Sequence, residues 1–147
     1  MQYNYLGEIM KIDFDFAIMY CRQIKQKLQN EITLILKNYG LTCPQGYFLN
    51  LFSYHTMLTL SEITYLLDVD KAYTTRIVNS LLQKGLVDKT ENIRKYSIFL
   101  TDQGRKTLEL IVKDIEKNRE KLLKGIDEEE LNNFKNTLKK IINNLEG

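Results

Sequence analysis

Several residue types are scarce in this 147-residue chain, and each scarcity excludes a kind of protein. There is no tryptophan, and there are only one proline, one histidine and two cysteines. Cys21 and Cys43 stand outside any C-x-x-C spacing, and with His55 alone beside them they form no zinc-binding pattern. Because Pro44 is the only proline, few helices are interrupted. We therefore expect a mostly helical protein that has two reduced thiols and needs no metal or cofactor.

Long apolar runs are also absent. The longest stretch without Asp, Glu, Lys or Arg extends from Asn38 to Ser61, but polar residues, glycines and Pro44 interrupt it too often for a membrane span. The amino terminus has neither a basic leader nor a continuous apolar segment, so we expect no signal peptide and a cytoplasmic location. With 44% hydrophobic and 27% charged residues, the composition is that of one globular domain over residues 1–147.

Positive charge is concentrated in the middle of the chain. Residues 1–70 carry five basic and seven acidic side chains, residues 71–106 carry eight and three, and residues 107–147 carry eight and nine. A basic segment favours contact with a polyanion, because Lys and Arg release counterions condensed on a phosphate backbone. Since a charge run is more often a solvated face, the charge alone does not establish nucleic-acid binding.

Helix boundaries are marked by residues that cap helices and by glycines that end them. The apolar residues between these signals recur at helical spacing, which predicts a succession of amphipathic helices. The predicted caps are Asp13, Thr42, Thr59, Asp70, Thr101 and Asp127, and the predicted ends are Gly40, Gly85 and Gly125. In the last helix the apolar spacing is 3-4-3-4, which is typical of a helix that packs along another helix. That seam consists of Leu131, Phe134, Leu138, Ile141 and Leu145.

Two segments rich in β-branched and aromatic residues interrupt the helices. Residues 86–90 and 96–100 flank the polar tip 91–95, which predicts a β-hairpin. Two short helices, predicted to begin at Leu60 and Lys71, come directly before it. Helix, turn, helix and hairpin in this order predict a winged helix-turn-helix, a module that places its second helix in the major groove of DNA. The expected fold class is mainly α with a small β-hairpin wing.

The second helix of this pair has two distinct faces. At 100° per residue, one face is apolar and the opposite face holds small or polar residues without a carboxylate, which suits base edges and phosphates. The inward face is predicted to hold Thr74, Ile77, Val78, Leu81 and Leu82. The outward face is predicted to hold Ala72, Thr75, Arg76, Asn79 and Gln83, with Tyr73 and Ser80 at the margin.

Four motifs resemble the MarR (multiple antibiotic resistance regulator) family of bacterial transcription factors. They are LSEI at 60–63, VDKAYTTRIV at 69–78, LLQKGLV at 81–87 and LTDQGR at 100–105. The resemblance implies a homodimeric regulator with a winged helix-turn-helix lobe at residues 43–100 and dimerisation helices at 1–39 and 102–147. Its implied partners are double-stranded DNA with a pseudo-palindromic operator and a small-molecule effector that relieves repression.

The face analysis and the resemblance together predict a set of DNA-binding residues. The recognition helix contributes Lys71, Ala72, Tyr73, Thr75, Arg76 and Asn79, and the wing contributes Arg94 and Lys95. In the wing the chain departs from the family, whose members usually carry Asp-x-Arg where this sequence has Asn92-Ile93-Arg94 on a shorter hairpin. Because a neutral amide is a weaker partner for a guanidinium than a carboxylate, we expect the contact made by Arg94 to be looser.

Other functions remain open at this point. A winged helix that binds protein rather than DNA would have a neutral or acidic recognition face, which Lys71 and Arg76 argue against. A redox-sensing regulator would need a reactive thiol, and Cys21 lies about one helical turn from the position where the peroxide-sensing branch of the family has one. We expect no enzyme, because no Ser/His/Asp set surrounds His55 and there is no glycine-rich phosphate loop.

The aromatic segment before the predicted helix-turn-helix has two interpretations. Its side chains either line an effector cavity, as the resemblance allows, or form ordinary core. They are Tyr47, Phe48, Phe52 and Tyr54.

Overall fold

The computed structural model of the chain describes residues 14–91 and 95–147, and it confirms the predicted fold class. The predicted cap Asp13 and the tip residues Asn92 and Arg94 lie outside the described residues. Over the described part of the chain, no helix has both the length and the apolar character needed to cross a membrane.

The elements alternate much as the helix signals predict, with short strands on either side of the helix pair. The helices are α1 (Phe14–Asn38), α2 (Cys43–Leu51), α3 (Leu60–Leu67), α4 (Lys71–Gln83), α5 (Asp102–Leu122) and α6 (Glu128–Glu146). The strands are β1 (Leu58–Thr59), β2 (Val87–Lys89) and β3 (Ser97–Leu100). The chain divides into two compact units, residues 1–111 and 112–147, with the boundary inside α5.

Five of the six predicted helix caps are present. Thr42, Thr59 and Asp127 each form a complete capping box, in which the side chain accepts from the N3 backbone and the N3 side chain accepts from the cap backbone. Asp70 accepts from the backbone N–H of Tyr73 over 2.7 Å. Thr101 accepts from the backbone N–H of Gly104 over 3.0 Å. These bonds satisfy N–H groups that the first helical turn leaves unpaired.

The sheet has one strand more than the predicted hairpin. β3 lies in the centre and pairs antiparallel with β2 on one side and with β1 on the other. Strand β1 was not predicted, because its two residues, Leu58 and Thr59, are too few to show a period of two. Its pairing with Ser97 and Ile98 ties the start of α3 to the wing, so the helix pair and the hairpin are joined by backbone hydrogen bonds.

The core of the first unit lies where α2, α3 and α4 meet the sheet. Its most deeply buried side chains are Phe48, Leu49, Ile63, Thr74, Val78, Leu81 and Ile98. Leu66 continues the apolar spacing of α3 but is 43% exposed. On α1, Leu36 is buried, whereas Cys21 is exposed.

Two glycines permit close approaches that a side chain would prevent. A Cβ at Gly104 in the first turn of α5 would lie 1.8 Å from the backbone oxygen of Leu86. A Cβ at Gly46 would lie 2.5 Å from Cδ1 of Leu36, so α1 and α2 also touch at a residue without a side chain. The α5 contact is reinforced by Thr101, whose N–H donates to Leu86 O over 3.1 Å and whose hydroxyl donates to Gly85 O over 2.6 Å.

In the second unit, α6 has no buried residue. The predicted seam is half-buried at Leu131, Leu138 and Ile141, whereas Phe134 and Leu145 are exposed. On the carboxyl-terminal part of α5, the apolar residues Val112 and Leu122 are exposed as well. The second unit therefore leaves part of its apolar stripes exposed to solvent in a single chain.

Candidate nucleic-acid interface

The centre of the candidate site is the helix-turn-helix formed by α3 and α4. Asp68 ends α3 in the left-handed conformation, at φ 51°, and Asp70 then caps α4. The helices are joined in the core by the Thr64 hydroxyl, which donates to the Thr74 hydroxyl over 3.0 Å. Thr74 in turn donates to the backbone oxygen of Asp70 over 3.1 Å. A buried polar chain of this kind fixes the orientation of α4 relative to α3.

The two faces of α4 lie as the helical rotation predicts. Thr74, Ile77, Val78 and Leu81 are buried and Leu82 is half-buried, so this face packs on the core. The predicted DNA-binding residues lie on the other side. Lys71, Ala72, Arg76 and Asn79 are exposed, and Tyr73 and Thr75 are half-buried.

The electrostatics of the outward face are positive. Among the described residues, neither Lys71 nor Arg76 forms a salt bridge with a carboxylate. The Arg76 guanidinium carbon lies 5.7 Å from the centroid of the Tyr73 ring, a cation–π contact. Thr75 donates to the backbone oxygen of Lys71 over 2.8 Å, which turns its hydroxyl along the helix.

A groove between α3 and α4 opens beside this face. It is lined by Ser61, Thr64, Tyr65, Asp68, Val69 and Lys71. Tyr65 is 84% exposed and lines the groove together with Ser61 and Lys71. Neither Ser61 nor Tyr65 was predicted as a site residue, although hydroxyl side chains on the first helix of such a pair are suited to phosphate oxygens.

The wing carries a further exposed cation, Lys89, which was not among the predicted site residues. The Lys89 ammonium on β2 lies 5.3 Å from the centroid of the Tyr96 ring, which comes just before β3. Lys95 is exposed at the end of the tip, whereas Arg94 lies outside the described residues. Lys89 is exposed on a strand whose alternation is too short to identify a functional face, which is why its position was not predicted.

The start of α3 is held by a charged capping box. The Glu62 carboxylate accepts from the Thr59 backbone N–H over 2.7 Å and from the Thr59 hydroxyl over 2.8 Å. These two hydrogen bonds hold the pKa of Glu62 below its usual range, and the nearby His55 adds a smaller effect in the same direction. The box fixes the point where β1 becomes α3.

A second cavity lies apart from the α4 face, within the first unit. It has a volume of about 280 Å³ and is lined by Phe52, Ser53, Tyr54, His55, Thr56, Leu100 and Arg105. The four aromatic residues of this segment fall into two groups. Phe48 and Phe52 belong to the core, with ring centroids 5.8 Å apart, whereas Tyr47 and Tyr54 are exposed.

The two cysteines lie in different surroundings. Cys21 is exposed on α1, and Cys43 is half-buried with its sulfur 3.0 Å from the Thr33 hydroxyl. Across the described ranges there is no group of three or more His, Cys, Asp or Glu side chains that could hold a metal ion.

A short helix pair with a buried polar link, an outward basic face on the second helix and a three-stranded sheet after it define a winged helix-turn-helix. The sequence profile of the MarR family matches residues 41–93, which confirms the resemblance drawn from the motifs of this segment.

A curated relative matches over part of the chain. The HTH-type transcriptional regulator BilQ of Clostridioides difficile (strain CD3) is 32% identical over 76 residues, which is 50% of this chain. The match spans about half (51%) of the length of that relative.

Solved structures extend the likeness of fold beyond the profile. A MarR family protein from Bacillus stearothermophilus superposes with a TM-score of 0.74 at 22% identity, covering 100% of this chain and 99% of the other. The MepR–DNA complex of S. aureus superposes with a TM-score of 0.73 at 22% identity, covering 92% and 99%. At these identities the likeness establishes the fold.

Proposed function

We propose that this protein is a transcriptional regulator that binds double-stranded DNA through α4. The observation that carries the proposal is the exposed surface of this helix, where Arg76 on the outward face and Lys71 in the first turn have no carboxylate partner among the described residues. Arginine and asparagine are the side chains that read guanine and adenine edges in the major groove, and Arg76 and Asn79 lie one turn apart here. The fold it shares with the MepR–DNA complex supports this proposal.

The proposed contacts fall into two kinds. Arg76 and Asn79 read base edges, whereas Lys71, Lys95 and the hydroxyl of Thr75 contact the backbone. The Tyr73 ring lies beside Arg76, and Ala72 leaves room for close approach. Arg94 is proposed to enter the minor groove from the wing, on the sequence resemblance alone. Because DNA of a bacterium lies in the cytoplasm, the proposed function places the protein there.

The proposed functional unit is a homodimer that binds a pseudo-palindromic operator. Its support is the apolar surface left exposed in each unit: Met19 and Ile24 on α1, and Phe134, Ile142 and Leu145 on α6. Exposed apolar side chains that form a contiguous patch mark association sites. Two recognition helices then read two half-sites about one helical turn apart.

We also propose that the protein is a repressor released by a small molecule. The candidate site is the 280 Å³ cavity near Arg105, because it combines the buried ring of Phe52 with the polar side chains of Ser53, His55 and Thr56. The Arg105 guanidinium suits a carboxylate ligand. Titrating the DNA complex with aliphatic and aromatic carboxylates tests this part, and Arg105→Gln is expected to abolish any release they cause.

The experiment that tests DNA binding is selection of duplexes from a random pool with the purified full chain. Sequencing should yield one enriched pseudo-palindrome, and its affinity should fall as salt rises because counterions are released from the phosphates. If no duplex is enriched, and random DNA is not retained at low salt either, the alternative of a protein-interaction module is supported instead.

Two variants separate base reading from backbone contact. Arg76→Ala is expected to weaken binding by about 1–3 kcal/mol and to relax the preference at one base pair. Lys71→Ala is expected to weaken binding to all duplexes alike and to lower the slope of log K against log salt by about one. A uniform loss in the Arg76 variant would contradict the assignment of that residue to a base edge.

A further inference from the structure

Arg76 is the exposed cation of the α4 face whose position the protein itself constrains. Its guanidinium carbon lies 5.7 Å from the Tyr73 ring centroid, and the two residues are one turn apart on the helix. Lys71, in the first turn of the same helix, has no such aromatic contact among the described residues.

The ring is held more firmly than the arginine. Tyr73 is half-buried, and its backbone N–H is bound to the Asp70 carboxylate over 2.7 Å at the helix cap. Arg76 is exposed and, within the described part of the chain, has no carboxylate partner. Because the Tyr73 side chain is the more buried of the two, its ring is the less mobile member of the pair, and the guanidinium is the group whose freedom the contact reduces.

A cation–π contact restrains an arginine without engaging its hydrogen-bond donors. A salt bridge would use the N–H groups and would have to break before they reached a base, whereas a ring attracts the charge and leaves the donors free. Restricting a long side chain before binding also reduces the conformational entropy that is lost in the complex. The arrangement thus prepares Arg76 for a directed, bidentate contact.

We infer that Tyr73 is a positioning residue that sets the base selectivity of the DNA-binding face by holding the Arg76 guanidinium over its ring. This inference rests on the proposed function, because it assigns a role within DNA recognition. It differs from a direct contact between Tyr73 and DNA, since the effect of the tyrosine then passes through Arg76.

The test is a double-mutant cycle on the selected operator and on a set of duplexes with single base-pair changes. Tyr73→Leu is expected to lower the affinity about two- to fivefold, the equivalent of an exposed cation–π contact, and to reduce discrimination at the base pair that Arg76→Ala identifies. In the Arg76→Ala background the same substitution should have no further effect. Tyr73→Phe keeps the ring and should bind and discriminate like the parent protein.

Controls separate positioning from stability and from other tyrosines. Tyr65→Leu removes an exposed tyrosine that has no cation–π contact among the described residues, and its effect should simply add to that of Arg76→Ala. Melting temperatures establish that each variant is folded, and Tyr73→Gln replaces Tyr73→Leu if the latter is unstable.

The outcomes are distinguishable. If Tyr73→Leu weakens binding equally with and without Arg76, Tyr73 contacts DNA itself and the inference is overturned while the proposed function stands. A loss shared equally by all duplexes overturns it too, because selectivity is then unaffected. If the parent protein selects no duplex at all, the proposed function fails, and the inference fails with it.

Discussion

The Thr64 and Thr74 hydroxyls lie 3.0 Å apart and link the two helices of the helix-turn-helix inside the core. Thr74 is fully buried, whereas the next residue, Thr75, is rotated by about 100° around α4 and is half-buried at the edge of the outward face. The two adjacent threonines thus differ in role. Thr74 helps to hold α4 against α3, whereas Thr75 belongs to the outward face.

Substitution of each threonine by valine should separate those tasks. Thr74→Val is expected to lower the free energy of unfolding by about 1 kcal/mol, because it removes the hydroxyl link while the shape of the side chain is kept. Thr75→Val should change the free energy of unfolding by less than about 0.5 kcal/mol and should weaken DNA binding. Urea unfolding and fluorescence anisotropy measure the two effects, and a reversed pattern would show that the α4 faces are misassigned.

Gly104→Ala should destabilise the first unit strongly. The added Cβ would lie 1.8 Å from Leu86 O, and because the obstacle is backbone the helix start has to move. We expect a loss of about 1–3 kcal/mol or more in the free energy of unfolding. Lys106→Ala, at an exposed position on the same helix, is the control and should be close to neutral. Equal stability of the two variants would contradict the close packing of α5 on Leu86.

The Glu62 capping box should contribute a pH-dependent part of the stability. Since the folded pKa is below the usual value of 4.5, this contribution is fully present above the unfolded pKa and is lost as the pH falls through the folded pKa. Glu62→Gln keeps an acceptor for the Thr59 N–H but does not titrate. The difference in urea midpoint between parent and variant should therefore be constant near pH 7 and shrink below about pH 4.5. A difference that grows in acid would contradict this sign.

Phe134→Glu should disrupt assembly if α6 contributes to a dimer. Its ring is 47% exposed on a helix without buried residues, and a carboxylate cannot be desolvated cheaply in an apolar interface. Asn136→Glu adds the same charge at an exposed polar position of that helix and serves as the control. Light scattering should give the dimer mass for the control and the monomer mass for Phe134→Glu. Dimers of both variants would exclude this face from the interface.

The wing arginine is tested through its charge. Arg94→Ala should lower the affinity for the operator and reduce the salt slope by about one per wing, because one fewer phosphate-associated counterion is released. Asn92→Asp should tighten binding if an acid at that position braces Arg94, and weaken it if the tip merely passes near phosphates. Unchanged affinity and slope in Arg94→Ala would mean that this side chain takes no part.

Local signals were sufficient for much of the fold. The helix caps Thr42, Thr59 and Asp127 were predicted from residue type and position, since the atoms that form each cap lie within three residues of one another. The two faces of α4 were predicted for the same reason. In a regular helix of 13 residues, the position of a residue in the sequence fixes the side of the helix from which its side chain projects. Local geometry of this kind needs no knowledge of distant neighbours.

Other features depended on residues far apart in the chain. The pairing of Leu58 with Ile98 makes β1 a strand, and the backbone of Leu86 is the reason for glycine at 104. Tyr73 and Arg76 are only three residues apart on one helix, so their side chains are able to meet. Whether they do depends on which rotamers the neighbouring residues allow.

By itself, then, the sequence determined where helices begin, which face of α4 is outward and which family the central motifs resemble, because these follow from spacing along one element. Tertiary structure alone decided that Leu66 is exposed, that Leu36 is buried and that Lys89 lies over Tyr96. Burial and long-range contacts depend on which other residues pack against a side chain. Apolar periodicity indicates that one face of a helix is to be covered, but it does not say which residues cover it.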